Sequence, residues 1–440
     1  MSAAERAIDR LMALHPKGFD LSLERIGRLL HRLGDPQEKL PPVIHIAGTN
    51  GKGSAAAFSR ALLEASGKVV HVHTSPHLVR WHERFRIGKA GGGRFVEDEV
   101  LADALERVAE ANRGEQITVF ELLTAVMFLL FSEHPADAAV VEVGLGGRFD
   151  ATNVVRQPAV SLIMPISLDH EAYLGDRVEL IAAEKAGIIK PGSPVVIGQQ
   201  EWDAAREVLI ETAERLDAPL AIYGQDFIAV EENGRMVYQD ENGLMDLPLP
   251  RLVGRHQLAN AAAAIAAVKA AGFPVSDRIA EEAMLTVSWP GRMQRLTEGR
   301  LVELAPDNAE IWVDGGHNPG AGAVIAESMA EAEEKRPKPL VLITGMINTK
   351  DQKGYFSAFQ GMARHVYTVP VNSSEAGVPN SELAARAIAA GLSAEPVNSV
   401  PNALKLLRDT WDDPTPPRIL ISGSLYLAGE VLAENGTPPQ

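Results

Sequence analysis

The run Val43-Ile44-His45-Ile46-Ala47 breaks into Gly48-Thr49-Asn50-Gly51-Lys52-Gly53-Ser54 and then into a helical pattern over residues 55–65, stopped by Gly67. This order limits the possible folds more than any other feature. An apolar β-branched run that passes through a glycine turn into a helix is the first half of a parallel βαβ unit. Glycines in such a turn let successive N–H groups point inward on an anion, the helix aims its positive end at the same place, and Lys52 adds a point charge. Ser54 brings a hydroxyl suited to magnesium. The competing reading is a plain strand-to-helix turn, but apolar Phe58, Ala61, Leu62 and Ala65 along the helix supply the context that phosphate binding requires. The spacing departs from the ordinary P-loop pattern. Gly48 lies too close to Gly51-Lys52, and Gly53 intervenes between the lysine and the serine.

Alternation continues through the first half, with β-rich runs at 69–72, 138–143, 158–166 and 194–197 and helical patterns at 97–112 and 120–132. It predicts a mostly parallel sheet covered on both faces, with ligands at the carboxyl ends of its strands. Between 226 and 249 two Asn-Gly pairs, Asn233-Gly234 and Asn242-Gly243, predict an antiparallel hairpin insertion. An alanine-rich helix is expected at 258–271. After Pro290-Gly291-Arg292 the pattern restarts, with strands expected at 310–313, 339–343, 365–369 and 418–421 and helices at 321–334, 381–390 and 402–411. The expectation is an α/β protein: a P-loop-type, mostly parallel domain over residues 1–295 and a smaller Rossmann-like α/β domain over 296–440. Residues 435–440 are expected to fray.

A chain of 440 residues is long for one core, which agrees with two domains. Its 58 acidic and 42 basic residues leave a formal charge of −16, which argues against non-specific affinity for nucleic acid or anionic lipid. The absence of cysteine excludes disulfides, thiolate metal sites and a cysteine nucleophile, and is compatible with a reducing cytoplasm. Residues 1–14 read as an amphipathic helix and not a signal peptide. No apolar run reaches membrane-spanning length, so a soluble, cytoplasmic monomer is expected.

Glu142 closes the run Ala138 to Val143 just before Gly144-Leu145-Gly146-Gly147-Arg148-Phe149-Asp150. A carboxylate there suits a magnesium-associated acid at the phosphate crevice, and a Glu merely leaving the sheet for solvent is the alternative. His170, after Pro165-Ile166-Ser167-Leu168-Asp169, is either a metal ligand or a hydrogen-bonded structural residue. His71, His73, His77 and His82 form a possible zinc cluster, but no acidic or sulfur ligand accompanies them, and Ser75 in the adjacent loop is the more informative residue. Arg80, Arg84, Arg86, Arg148, Arg292 and Arg295 are the basic residues beside glycine-rich segments. Asp314-Gly315-Gly316-His317-Asn318-Pro319 repeats the strand, glycine turn, helix order, with Pro319 fit for a first helical turn and Asn318 for capping.

Taken together, Gly48 to Ser54, Ser75-Pro76-His77-Leu78, Thr118-Val119-Phe120-Glu121, Glu142 to Asn153, Leu168-Asp169-His170, Glu184 to Gly187, Pro290-Gly291-Arg292 and Asp314 to Pro319 resemble the folylpolyglutamate and dihydrofolate synthases, relatives of the ATP-dependent Mur ligases. The resemblance covers nearly the whole chain. It implies a Mur-ligase-like domain binding ATP and pterin and a C-terminal glutamate-ligase domain. It also implies that Asn50, Gly51, Lys52, Gly53, Ser54, Asn260, Arg292 and Asp314 contact ATP, and that Ser75, Glu142 and His170 bind Mg2+. Asp20, Leu21, Ser22, Thr118, Val119, Phe120, Glu121, Phe149, Asp150 and Ala151 match pterin-binding segments. Lys185 matches a lysine carbamylated in the family, although from the residues alone it is an ordinary helix lysine. Lys52, Lys185 and His317 are the expected catalytic residues.

The implied reaction activates a carboxylate of dihydropteroate or a reduced folate as an acyl phosphate, which the amine of L-glutamate then attacks. Closure of the two units over ATP is expected to exclude water. One departure is plain: Gly315-Gly316 replaces the Tyr-Ala or Val-Ala usual in the family's Asp-x-x-His-Asn-Pro motif. A Mur-type ligase acting on a UDP-sugar peptide and a non-catalytic nucleotide-binding switch are the alternatives.

Overall fold

The computed structural model describes residues 2–12 and 22–440. They divide into two compact units, the first comprising residues 2–251, 257–287 and 440 and the second residues 252–256 and 288–439. The expected pterin residues Asp20 and Leu21 lie outside the described residues.

The first unit is built on β1 (Val43–Ala47), β2 (Val70–His73), β3 (Phe85–Ile87), β4 (Arg94–Phe95), β5 (Ala138–Glu142), β6 (Val160–Ile163), β7 (Val195–Ile197) and β8 (Leu220–Ile222). Their order is β4-β3-β2-β5-β1-β6-β7-β8. The six strands from β2 to β8 run parallel, and the pairings of β2 with β3 and of β3 with β4 are antiparallel. Parallel strands covered on both faces read as near-continuous apolar runs, and β1, β2 and β5 are buried at every position, their His45, His71, His73 and Glu142 included. On one side α1 (Ala3–Met12), α2 (Glu24–Arg32), α4 (Asp98–Asn112) and α5 (Val119–Glu133) share a core with Ala139 and Val141 of β5. A second core joins Ile163, Val195 and Ile197 to α6 (Glu171–Leu174), α7 (Val178–Ala186) and α8 (Asp203–Arg215).

The glycine-turn helix, α3 (Lys52–Ala65), begins three residues before its apolar pattern does. Gly51 at φ +80° is its N-cap, so Lys52, Gly53 and Ser54 form the first turn, where N–H groups have no intrahelical acceptor. The unit also carries α9 (His256–Ala270), α10 (Asp277–Thr286) and a separate antiparallel sheet of β9 (Phe227–Glu232), β10 (Arg235–Asp240) and β11 (Gly243–Pro248). Asn233 and Gly234 make the first turn, both at positive φ, as a two-residue hairpin of the primed type requires. The second turn is one residue earlier than expected. Asp240 pairs with Gly243, leaving Glu241-Asn242 as the loop, because Asp240 accepts the Asn242 N–H while held by Lys269 and Tyr238.

The second unit has β12 (Gln294–Leu296), β13 (Glu310–Val313), β14 (Leu340–Thr344), β15 (Ala363–Thr368), β16 (Ala394–Pro396) and β17 (Arg418–Ser422) in the order β12-β13-β17-β14-β15-β16. Only the edge strand β12 is antiparallel. Its helices are α11 (Pro319–Lys335), α12 (Gln352–Ser357), α13 (Asn380–Ala389), α14 (Val400–Thr410) and α15 (Leu425–Asn435). The C-terminus does not fray where expected: Asn435 is buried, accepts the Leu301 N–H and donates to Glu298.

Candidate active site

Four neighbouring strands of the first sheet end on one edge, and each delivers a residue singled out by the sequence: Ser75 after β2, Glu142 on β5, the glycine loop after β1 and His170 beyond β6. The loop is pinned to the chain after β6. The N–H groups of Thr49 and Asn50 donate to Pro165 O, Thr49 exchanges hydrogen bonds with Ser167, and Asn50 donates to the Ser167 hydroxyl. A side chain at Gly48 (φ +150°) would strike Met164, and one at Gly51 would strike Asn260. Asn260, buried on α9, therefore stands directly against the loop.

Two lysines meet at the loop's start. Lys52 Nζ donates to Gly48 O at 3.0 Å and to Thr49 O at 3.3 Å, and Lys185 Nζ, from α7, donates to Gly48 O at 3.0 Å. Lys185 is not the exposed helix lysine its sequence context suggested. Burial first and the charge of Lys52 second bring its pKa down to about 7, so near neutrality it exists in comparable parts as ammonium and free amine.

Glu142 is buried and accepts the Ser75 N–H at 3.2 Å, which brings those two residues together. His170 is exposed, in a left-handed conformation at φ +55°, beside Asp169. Among the described residues no three His, Asp or Glu side chains cluster tightly enough to hold a metal ion by themselves. Individual partners account for the four histidines after β1: His71 bonds to His134 O and the Gly88 N–H, His73 to Arg84 O, His77 to Arg84 Nε and His82 to Asp98.

The second glycine loop is organised by Asp150. Its Oδ2 accepts the Gly144 and Leu145 N–H groups, and its Oδ1 accepts the Thr152 N–H and hydroxyl. Burial pushes its carboxyl upward, but four donors leave no acceptor site unused. The loop then docks on α7: the Arg148 N–H donates to Glu184 O, and a side chain on Gly147 would strike Glu184 and Lys185. Phe149 is exposed, and Ala151 is buried behind it.

Thr118 and Glu121 form a capping box at the start of α5, each side chain accepting the other's N–H. This fixes Phe120, whose ring lies where a side chain on Gly144 would be. Val119 opens the helix, and Ser22 accepts the Glu24 N–H just before α2.

In the second unit Asp314 directly follows β13 and is buried, and that burial raises its carboxyl pKa, with Arg292 opposing the shift in smaller part. It accepts N–H groups from Met293 and Gly316, while the Gly315 N–H donates to Gly291 O. The loop bearing Arg292 is thereby tied to the strand end. His317 donates from Nδ1 to Gly315 O at 2.8 Å. Asn318 caps α11 through the Ala321 N–H, with Pro319 at its first position.

The Mur ligase middle domain model matches residues 46–268. Folylpolyglutamate synthase of Lacticaseibacillus casei is 33% identical over 92% of each chain. The chain belongs to the folylpolyglutamate and dihydrofolate synthase family. Two solved structures of the family align over nearly the full length. E. coli FolC in complex with DHPP and ADP has a TM-score of 0.85 at 29% identity, covering 98% of this chain and 97% of that one. A bifunctional folylpolyglutamate synthase/dihydrofolate synthase with Mn, AMPPNP and L-glutamate bound has a TM-score of 0.83 at 29% identity, covering 98% of each.

Within this family, the Gly315-Gly316 departure has a packing reason here. A side chain at Gly315 would collide with Leu425 and Arg292, and one at Gly316 with Ile325. Reading the sequence also missed Arg25, whose Nε lies 3.1 Å from both oxygens of Glu121, 96 residues away. Local pattern carries no signal for so distant a pair.

Proposed function

We propose that the protein is an ATP-dependent acid–amino-acid ligase joining L-glutamate to dihydropteroate, to the γ-carboxyl of a reduced folate, or to both, with ADP and phosphate as the other products. The observation that carries this reading is the convergence of Lys52, Lys185 and the Ser75–Glu142 pair on adjacent strand ends around a loop built for phosphates. The acceptor's carboxylate oxygen attacks the γ-phosphorus of ATP, and the bond to the β-phosphate oxygen breaks, giving an acyl phosphate and ADP. The glutamate amine then attacks the acyl carbon, loses a proton, and phosphate departs with one former carboxylate oxygen.

Lys52 leaves the Gly48 and Thr49 carbonyls to meet the transferring phosphoryl group, where a preorganised cation stabilises developing charge. In the first unit Asn50, Gly51, Gly53, Ser54 and Asn260 line the nucleotide. A carboxylate, a hydroxyl and one imidazole offer mostly hard donors, which fit magnesium. Ser75, Glu142 and His170 would hold that ion. When bound, it neutralises charge on the phosphate oxygens. The free-amine fraction of Lys185 is open to carbamylation. Phe120 and Phe149 offer apolar surface to the pterin, while Thr118, Glu121, Asp150 and Ala151 shape the backbone around it. His317 is assigned to positioning the incoming amino acid.

Phosphate release from ATP tests this: turnover should need both a pteroate-type carboxylate and L-glutamate and yield ADP. AMP, or hydrolysis indifferent to glutamate, overturns it. Lys52→Ala should abolish turnover with circular dichroism unchanged, and a retained rate would remove Lys52 from the mechanism.

A further inference from the structure

Arg25 stands on α2 and reaches across to the start of α5. Its guanidinium Nε is shared between the two carboxylate oxygens of Glu121 at 3.1 Å each, and both side chains are largely buried. Glu121 is at the same time half of the capping box that starts α5, accepting the Thr118 N–H at 2.8 Å. Its carboxylate is thus committed to Arg25 and to the backbone.

Two further arginines on the same face of α2 extend the clamp. Arg28 and Arg32 both reach Glu115 in the turn leading to Thr118, at 2.7 and 2.6 Å, and Arg32 also donates to Ala111 O at the end of α4. Spacing of three and four residues puts positions 25, 28 and 32 on one side of a helix. These outer pairs are more exposed, where ion pairs contribute little. Arg25 is the buried member.

The segment fixed in this way presents Phe120 to Gly144, the residue whose N–H is held by Asp150 and which lies two beyond Glu142. A physical chain therefore runs from α2 through Glu121 and Phe120 to the glycine loop after β5. The α2 helix also follows directly on residues 13–22, which include Asp20 and Ser22.

We propose that Arg25 is a positioning residue for the carboxylate acceptor, acting through Glu121 to set where Phe120 meets the loop at Gly144. The assignment rests on the glutamate-ligase reading above. It does not place Arg25 on the substrate. Loss of the pair lets the first turn of α5 shift against Gly144, so affinity for the acceptor falls while the phosphate loop, built on β1 and α3, is untouched.

The experiment is steady-state kinetics on wild type, Arg25→Ala, Arg25→Lys and Glu121→Gln with dihydropteroate and with a reduced folate, alongside hydrogen exchange of the intact proteins. Arg25→Ala should raise the acceptor KM about tenfold or more, as a displaced positioning group does, and leave the ATP KM within about twofold. Lys keeps the charge but not the planar fork, so Arg25→Lys should fall between. The Arg25→Ala/Glu121→Gln double variant should be no worse than the poorer single one, since both remove the same link. Amides at the start of α5 should exchange faster in Arg25→Ala, and those of α3 should not. An unchanged acceptor KM, an ATP KM that rises in parallel, or unaltered exchange at 118–123 would overturn the assignment while the ligase reading stands. A wild-type enzyme whose turnover ignores the acceptor would overturn both.

Discussion

Glu121, Glu142, Asp150 and Asp314 are buried carboxylates that accept backbone N–H groups. A carboxylate at the carboxyl end of a parallel strand can face a ligand or hold the loop that does. Asp150, with four donors on two oxygens, holds the loop. Asp150→Asn turns an acceptor into a donor against N–H groups and should cost about 1–3 kcal/mol, read as a lowered urea midpoint; an unchanged midpoint would contradict that role. His45 gives a second test. Its Nε2 lies 2.9 Å from the Thr152 hydroxyl, and since that hydroxyl donates to Asp150, Nε2 must carry the proton. Burial, with Lys190 as a smaller cause, brings the His45 pKa from 6.5 to about 3. The fold thus favours the neutral ring, so its contribution is complete above pH 6.5 and is lost as pH falls toward 3. Between pH 7 and 4.5 the wild type should lose roughly 2–3 kcal/mol more than His45→Gln, measured by urea unfolding. Equal losses would show that His45 does not carry that dependence.

At the scale of elements, the capping box and the glycine contacts decide where substrate-facing segments lie. Gly144→Ala would drive a methyl group into the Phe120 ring, and overpacking of this kind costs about 1–3 kcal/mol. A fall in thermal midpoint together with a raised acceptor KM is expected, and a variant matching wild type in both would contradict the contact. The central strands were legible because apolar runs bounded by glycine turns leave little choice once both faces are buried. The edges were not. β12 is Gln-Arg-Leu and β16 is Ala-Glu-Pro, triplets without an apolar run that become strands only because a neighbour offers hydrogen bonds. The slipped turn at Glu241-Asn242 had the same cause: Lys269 and Tyr238, distant in sequence, hold Asp240 and override the Asn-Gly preference. Residue identities at the glycine loop were legible, whereas Arg25 and the buried setting of Lys185 depend on helices packed from elsewhere.

For the whole molecule, each unit has its own sheet and its own apolar core. Calorimetry should therefore give a van't Hoff enthalpy below the calorimetric one, as chains with more than one domain do; equality would show a single cooperative block. No helix among the described residues is long and apolar enough to cross a membrane. The central claim is that this site activates a carboxylate by phosphorylating it. Supplying an acceptor whose carboxylate carries oxygen-18, with ATP and L-glutamate, tests that most directly. One labelled oxygen is expected in the released inorganic phosphate for each amide formed, and unlabelled phosphate, or label in AMP, would contradict carboxylate phosphorylation.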